Sequence, residues 1–222
     1  MLSGYTAAGK TTHAHVLAGV FGLHYVSASQ ILLSMLGKSP VQAPDFWVTD
    51  EGKAVWMTPE ARRVDDELVR LESTMTHTVF DAFTMPWLHK GPALTIWLES
   101  SFDSRVLKAT ISHRGHTGRE ESELRQRLRE KDGALQRRLR EMGVDPAVVT
   151  AQFDLVLDIS SFISGPTFRD ALGSIEAANE LITSVAGWWL FGDSYFSSAF
   201  SAARRGYGEE VILRCPPGLG SN

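Results

Sequence analysis

The chain has 222 residues, 43% of them apolar and 22% charged, which suits one globular core with at most a small appendage. A formal net charge of −4 argues against general affinity for nucleic acid or anionic membrane, and a single cysteine, Cys215, excludes an internal disulfide framework and an all-cysteine metal site. There is no apolar run of about 18 residues and no basic segment leading into an apolar one at the N-terminus, so secreted, membrane and disulfide-scaffold classes fall away and a cytoplasmic protein is expected.

Short strand-like runs alternate with longer helix-like ones, the pattern of an α/β fold with a parallel sheet. After Met1-Leu2-Ser3 a glycine-rich turn leads into a helix over 10–21. His24-Tyr25-Val26 reads as a strand, and Ser27 opens a helix to about Leu36. Residues 37–57 are loop-rich, with prolines at 40 and 44. Thr58-Pro59 supplies an N-cap and a first-turn proline for a helix reaching about Ser73. Residues 78–81 form a strand ending in Asp81, and 93–99 form another. A helix over 101–112, a long charged helix over 118–142, a strand over 153–159 and a helix over 167–185 follow. In the last forty residues Trp188, Trp189, Phe191, Tyr195, Phe196, Phe200 and Tyr207 crowd together, which marks residues 183–222 as an aromatic extension.

The strongest motif comes first in the chain. Gly4-Tyr5-Thr6-Ala7-Ala8-Gly9-Lys10-Thr11 matches G-x-x-x-x-G-K-[ST] and opens a helix, with Thr12 next in line. Glycines let the backbone wrap so that successive N–H groups point at phosphate oxygens, and the helix adds the positive end of its dipole. Lys10 would reach the terminal phosphates of ATP, and the Thr11 hydroxyl would hold Mg²⁺. Only three residues precede Gly4, where a buried strand of about five is expected, so the first strand is either short or begins upstream.

On a helix over 118–142, Leu124, Leu128, Leu135, Leu139 and Met142 share one stripe. Arg127, Lys131 and Arg138 fall within about 40° of one another on its flank. That is either a basic ridge aimed at a ligand or a solvated surface helix laced with pairs such as Glu123 with Arg127. His13 and His15 do not face together, and His113 and His116 have no partner in the pattern, so no histidine metal site is expected.

Phe21 to Ser29, Val64 to Arg70, Phe80-Asp81-Ala82-Phe83 and the charged run Leu128 to Arg138 follow the phosphate loop in the order and spacing of another group. Together they resemble the cytidylate kinases and their nucleoside-monophosphate kinase relatives over roughly residues 1–182. The resemblance implies a P-loop NTPase with a parallel five-stranded sheet flanked by helices, an acceptor-binding insert near 38–74 and a lid near 112–145. It also implies an ATP- and Mg²⁺-dependent transfer to a nucleoside monophosphate, cytidylate-like or modified. Lys131 and Arg138 would then close from the lid. Asp81 would order the metal's waters or accept a hydroxyl proton, alongside Thr11 as a metal-side ligand.

The acceptor half departs from the family. Two arginines that hold the acceptor phosphate are Leu33 and Phe83 here, and an acidic lid residue is Leu135. Arg62, Arg63 or Arg70 could replace the clamp, and Ser27 could bind acceptor or simply cap a helix. Trp47, Trp56 and Trp87 could stack on a flat substrate or pack in the core. Losing the clamp favours a second reading, a kinase of a small hydroxylated metabolite. A third is a nucleotide-binding module with little catalysis, whose aromatic extension docks a second copy in a homodimer rather than folding inward.

Overall fold

The computed structural model describes residues 1–39, 46–47, 49–55, 59–113, 120–163, 165, 167–207 and 212–214. Trp56, Thr58, His116, Cys215 and the prolines at 40 and 44 lie outside the described residues. The elements run β1 (Leu2–Ser3), α1 (Lys10–Phe21), β2 (His24–Ser27), α2 (Ala28–Met35), α3 (Asp50–Val55), α4 (Pro59–Thr74), β3 (Thr78–Asp81), α5 (Met85–Leu88) and β4 (Ile96–Glu99). They continue with α6 (Phe102–His113), α7 (Glu121–Glu141), a 3₁₀ segment (Pro146–Gln152), β5 (Leu155–Asp158), α8 (Phe168–Phe191), α9 (Ser194–Tyr207) and β6 (Ile212–Arg214).

The sheet order is β2-β3-β1-β4-β5-β6, with the first five strands parallel and β6 antiparallel at the edge. The short β1 sits in the middle, paired with β3 through Leu2 and with β4 through Leu2 and Ser3. Chain order reverses direction on either side of β1. Its carboxyl end therefore opens into the crevice where ligands bind in open parallel sheets. The central strands have both faces covered, so they read as continuous apolar runs rather than alternating ones: Ile96, Trp97 and Leu98 are all buried.

Local signals explain the helix boundaries. Gly9 enters α1 and Gly22 leaves it, both left-handed (φ 99° and 63°). Ser27 caps α2, its side chain accepting from Gln30 N–H at 3.4 Å. A reciprocal capping box between Thr167 and Asp170 starts α8, and left-handed Gly192 ends it. One core layer joins the sheet to α1 and α8 through Leu17, Ile96, Leu98, Leu155, Leu181 and Val185. The opposite layer is aromatic, with Phe83, Trp97 and Phe153 against Leu139.

Helix α8 runs unbroken across residue 182, where the sequence pattern places the start of an extension. Its last two turns continue the apolar face that α1 covers. Part of the aromatic crowding packs inward. Phe200 is buried in the main core, and Phe191 and Phe196 stack against Phe21 at 5.6 and 5.9 Å. Trp189, Leu190, Phe191 and Tyr195 keep exposed surface. Among the described residues no helix is long and apolar enough to cross a membrane.

Candidate active site

The phosphate loop leaves β1 and returns through α1 in a shape that small residues make possible. Gly4 has φ 143°, and a Cβ there would lie 2.5 Å from the Leu98 carbonyl oxygen. Ala7 adopts φ 62° and Gly9 φ 99°. Residues 6–12 line one wall of a cavity of about 870 Å³ over the carboxyl end of the sheet. Lys10 Nζ donates to the carbonyls of Gly4 at 2.8 Å and Tyr5 at 3.0 Å, so the ammonium is held across the mouth of the loop. Burial lowers its pKa, and nearby Asp81 counters in part.

Asp81 ends β3 beside this loop. Thr11 Oγ1 donates to Asp81 Oδ2 at 2.7 Å, and Tyr25 Oη donates to the same oxygen at 3.0 Å. Burial and the Asp81 charge push the Tyr25 phenol well above its ordinary range. Two hard oxygen donors, a neutral hydroxyl and a carboxylate, side by side at a phosphate loop, suit a Mg²⁺ that keeps several of its waters. Thr11 and Asp81 are thus the residues that would hold it.

The rest of this side of the cavity comes from α6, α8 and the segment after β5, with Lys108, Phe162, Ile163, Phe168 and Ile175 lining it. His13 is buried, and its Nδ1 lies 2.8 Å from Asn179 Oδ1, which ties α1 to α8. Lys108 Nζ donates to Ser100 Oγ at 2.9 Å, and burial lowers its pKa to about 8.

Helix α7 covers the cavity and uses its basic flank in three different ways. Arg127 pairs with Asp50 of α3 at 2.5 Å and approaches Glu123 at 3.6 Å. Lys131 lines the cavity with its ammonium 5.5 Å from the Trp47 ring, and burial together with Lys10 brings its pKa down to about 7. Arg138 donates to Asp65 of α4 from Nη2 at 2.5 Å and Nε at 3.1 Å, while Thr84 donates to the other Asp65 oxygen at 2.5 Å.

The sequence candidates therefore divide. Gly4 to Thr12, Ser27, Asp81, Lys131 and Arg138 come together at or beside one cavity. Arg63 and Arg70 do not. They border a separate shallow groove with Met35, Asp66 and Glu67, and Arg70 is held by Glu67 through two 2.7 Å bonds. They are two of the three arginines, with Arg62, that could replace the missing clamp; the amphipathic pitch of α4 turns Val64 and Leu68 inward and leaves Arg63 and Arg70 on the outer face. The positions of the missing arginines are packing positions here. Leu33 is fully buried under the insert, and Phe83 stacks with Tyr5, Trp87 and Trp97. Trp87 packs in that cluster rather than facing a ligand, and Trp47 alone of the three tryptophan candidates lines the cavity among the described residues.

Sequence reasoning did not single out Asp65, Tyr25, Arg105, Lys108 or Asp132. Their signal was weak: Tyr25, Asp65 and Asp132 sit one or two residues from a position with a stronger claim, and Arg105 and Lys108 are ordinary basic residues on a mixed helix.

Comparison with solved structures agrees with this architecture. A shikimate kinase from Bacteroides thetaiotaomicron superposes with a TM-score of 0.50 at 16% identity, covering 82% of this chain and 96% of that one. The fold is that of the P-loop NTPases. A shikimate kinase from Acinetobacter baumannii in complex with shikimate gives a TM-score of 0.47 at 15% identity, over 82% of this chain and 91% of that one. No protein-family model matches the chain, and no curated protein is similar to it in sequence. The likeness shows a P-loop NTPase fold and gives no support to cytidylate kinases specifically.

Proposed function

We propose that the chain is an ATP- and Mg²⁺-dependent phosphotransferase whose acceptor is a small hydroxylated compound carrying no phosphate of its own. The phosphate loop with Lys10, Thr11 and Asp81 supports the ATP half of this reading. The observation that carries the acceptor half is the Arg138–Asp65 pair. Arg138 is the arginine lining the cavity among the described residues, and its charge is already answered by a buried carboxylate. A phosphate clamp depends on charge-assisted hydrogen bonds of about 1.5–3 kcal/mol each. With Leu33 and Phe83 buried in apolar clusters and Arg63 and Arg70 facing elsewhere, the acceptor end offers Ser27, Gln30, Asp65 and Thr84 instead. Those groups exchange hydrogen bonds with hydroxyls.

In the reaction, the loop N–H groups and Lys10 hold the terminal phosphates and take up charge on the transferring group. Mg²⁺, when bound, neutralises charge on the β- and γ-phosphates. An acceptor hydroxyl oxygen forms the new bond to the γ-phosphorus as the bond to the β–γ bridging oxygen breaks and ADP leaves. Asp81, beside the loop, is placed to receive the hydroxyl proton, and with Thr11 it would hold Mg²⁺. Lys131 adds positive charge from the lid side, and α7 excludes water that would otherwise hydrolyse ATP.

The test is ADP formation from MgATP against CMP, dCMP, UMP, AMP, GMP, free nucleosides and simple sugar alcohols, with Lys10→Ala as background. Stimulation by unphosphorylated acceptors is expected. Stimulation chiefly by CMP or dCMP would return the acceptor to the nucleoside monophosphates. Tight ATP binding with no acceptor stimulation across a wider panel of alcohols would favour a nucleotide-binding module.

A further inference from the structure

Arg105 is an almost fully buried arginine in the first half of α6, only 5% exposed. Its guanidinium makes four hydrogen bonds. Nε donates to Ser100 O at 3.2 Å, and Nη1 donates to the Thr6 carbonyl of the phosphate loop at 3.1 Å. Nη1 and Nη2 donate to the two carboxylate oxygens of Asp132 on α7 at 3.1 and 2.7 Å. The guanidinium also lies 5.4 Å from the Tyr5 ring, and Gln136 on the next turn of α7 approaches Tyr5 Oη at 3.4 Å. One side chain thus joins the phosphate loop, the end of β4 and the lid helix. Asp132 is drawn inward despite the cost of burial, which holds its carboxyl above the usual range even beside Arg105.

A buried, bidentate pair is expensive to assemble, and apolar packing would hold two helices together as well. That packing exists: Val106 and Ala109 of α6 meet Leu124 and Leu128 of α7 one turn away. The ion pair is therefore not needed simply to dock α7. What packing cannot do is fix the helix in rotation and height against the loop backbone. Asp132 is the immediate neighbour of Lys131, which lines the same cavity as Lys10.

We propose that the Arg105–Asp132 pair is a positioning device that locks α7 in register with the phosphate loop and thereby sets Lys131 opposite Lys10. This rests on the phosphotransfer reading for the role of Lys131. The locking itself is a property of the ligand-free fold. Arg105 and Asp132 are positioning residues: neither lines the cavity, and both act through Thr6, Tyr5 and Lys131.

The test is a double-mutant cycle with Asp132→Asn and Lys131→Met, read as kcat and KM for MgATP in the full chain. Hydrogen exchange of the loop and of α7 is followed in the same proteins. Asp132→Asn should lower kcat by about tenfold, leave KM for ATP within about twofold, and be no worse in the double variant than Lys131→Met alone. In ligand-free Asp132→Asn, exchange should quicken together in residues 5–10 and 129–136. If the isosteric variant does not fold, Asp132→Glu, which keeps the charge and shifts the register, carries the same cycle. Losses that multiply in the double variant, an unchanged kcat, or exchange that quickens in α7 alone would overturn the proposal. A wild type no faster than Lys10→Ala would sink the phosphotransfer reading and the role of Lys131 with it, which is distinct from either failure of the pair.

Discussion

The two halves of the cavity are built from different materials. The phosphate-loop half is backbone: left-handed glycines and a helix start, with Lys10 folded over loop carbonyls. The opposite half is side chains that answer one another: Arg138 with Asp65, and Asp65 with Thr84. Backbone cradles bind any nucleoside triphosphate and tolerate little change. Side-chain pairs can be exchanged together at less cost to the fold, so on the proposed reading acceptor choice would lie in the part of the molecule that is freer to differ.

That contrast can be broken most severely at Lys10. Lys10→Ala should lower transfer by about 10³-fold or more while far-ultraviolet circular dichroism stays native; retained turnover would remove the loop from the mechanism. Next, Gly4→Ala forces a methyl to 2.5 Å from the Leu98 carbonyl at a left-handed φ of 143°. ATP binding and melting temperature should fall together, because loop and sheet are the same backbone.

On the acceptor side the expected effects are smaller and separable. Arg138→Ala strands Asp65, a carboxylate only 7% exposed. Stability should drop by about 3 kcal/mol at most, less than for a fully buried pair, because Arg138 keeps some solvent contact. KM for the acceptor should rise while KM for ATP stays within about twofold. Arg63→Ala and Arg70→Ala should be near neutral in both, and a large loss in either would restore them to the acceptor site.

The mildest test is pH. Lys131 at about 7 and Lys108 at about 8 are depressed by burial below an ordinary lysine value of 10.5. Between those limits the unfolded chain binds more protons than the folded one, so stability rises with pH from about 7 toward 10. The melting temperature of ligand-free protein should climb across that window, and Lys131→Met should flatten the climb. An equal slope in the variant would show that Lys131 is solvated in the free protein.

The same division of materials explains what the sequence made legible. The phosphate loop could be read because its function needs fixed residue types at fixed spacing. Strand β3 and helix α1 were legible to the residue, since apolar runs and glycine stops mark them. The antiparallel β6 and the inward fold of α9 were not, because a short edge strand and an amphipathic helix look alike whether they face the core or a second copy. Nor was the fate of Arg63 and Arg70 legible. They are basic residues on a helix of the same character as the one that carries Arg138, and only the packing of Val64 and Leu68 turns them outward. Leu33 and Phe83 showed that the family's clamp was missing, but not that greasy packing had taken its place.

Helix α7 is 21 residues long, a rod of about 30 Å, and Asp132 lies near its midpoint. Arg127 and Arg138 grip the insert on either side of that point. A rod fixed at its middle behaves as a see-saw, and any tilt that lifts one end away from the insert presses the other toward it. On the phosphotransfer reading proposed above, an acceptor that displaced Arg138 from Asp65 would load the fulcrum itself and pass that load to the phosphate loop through one rigid beam.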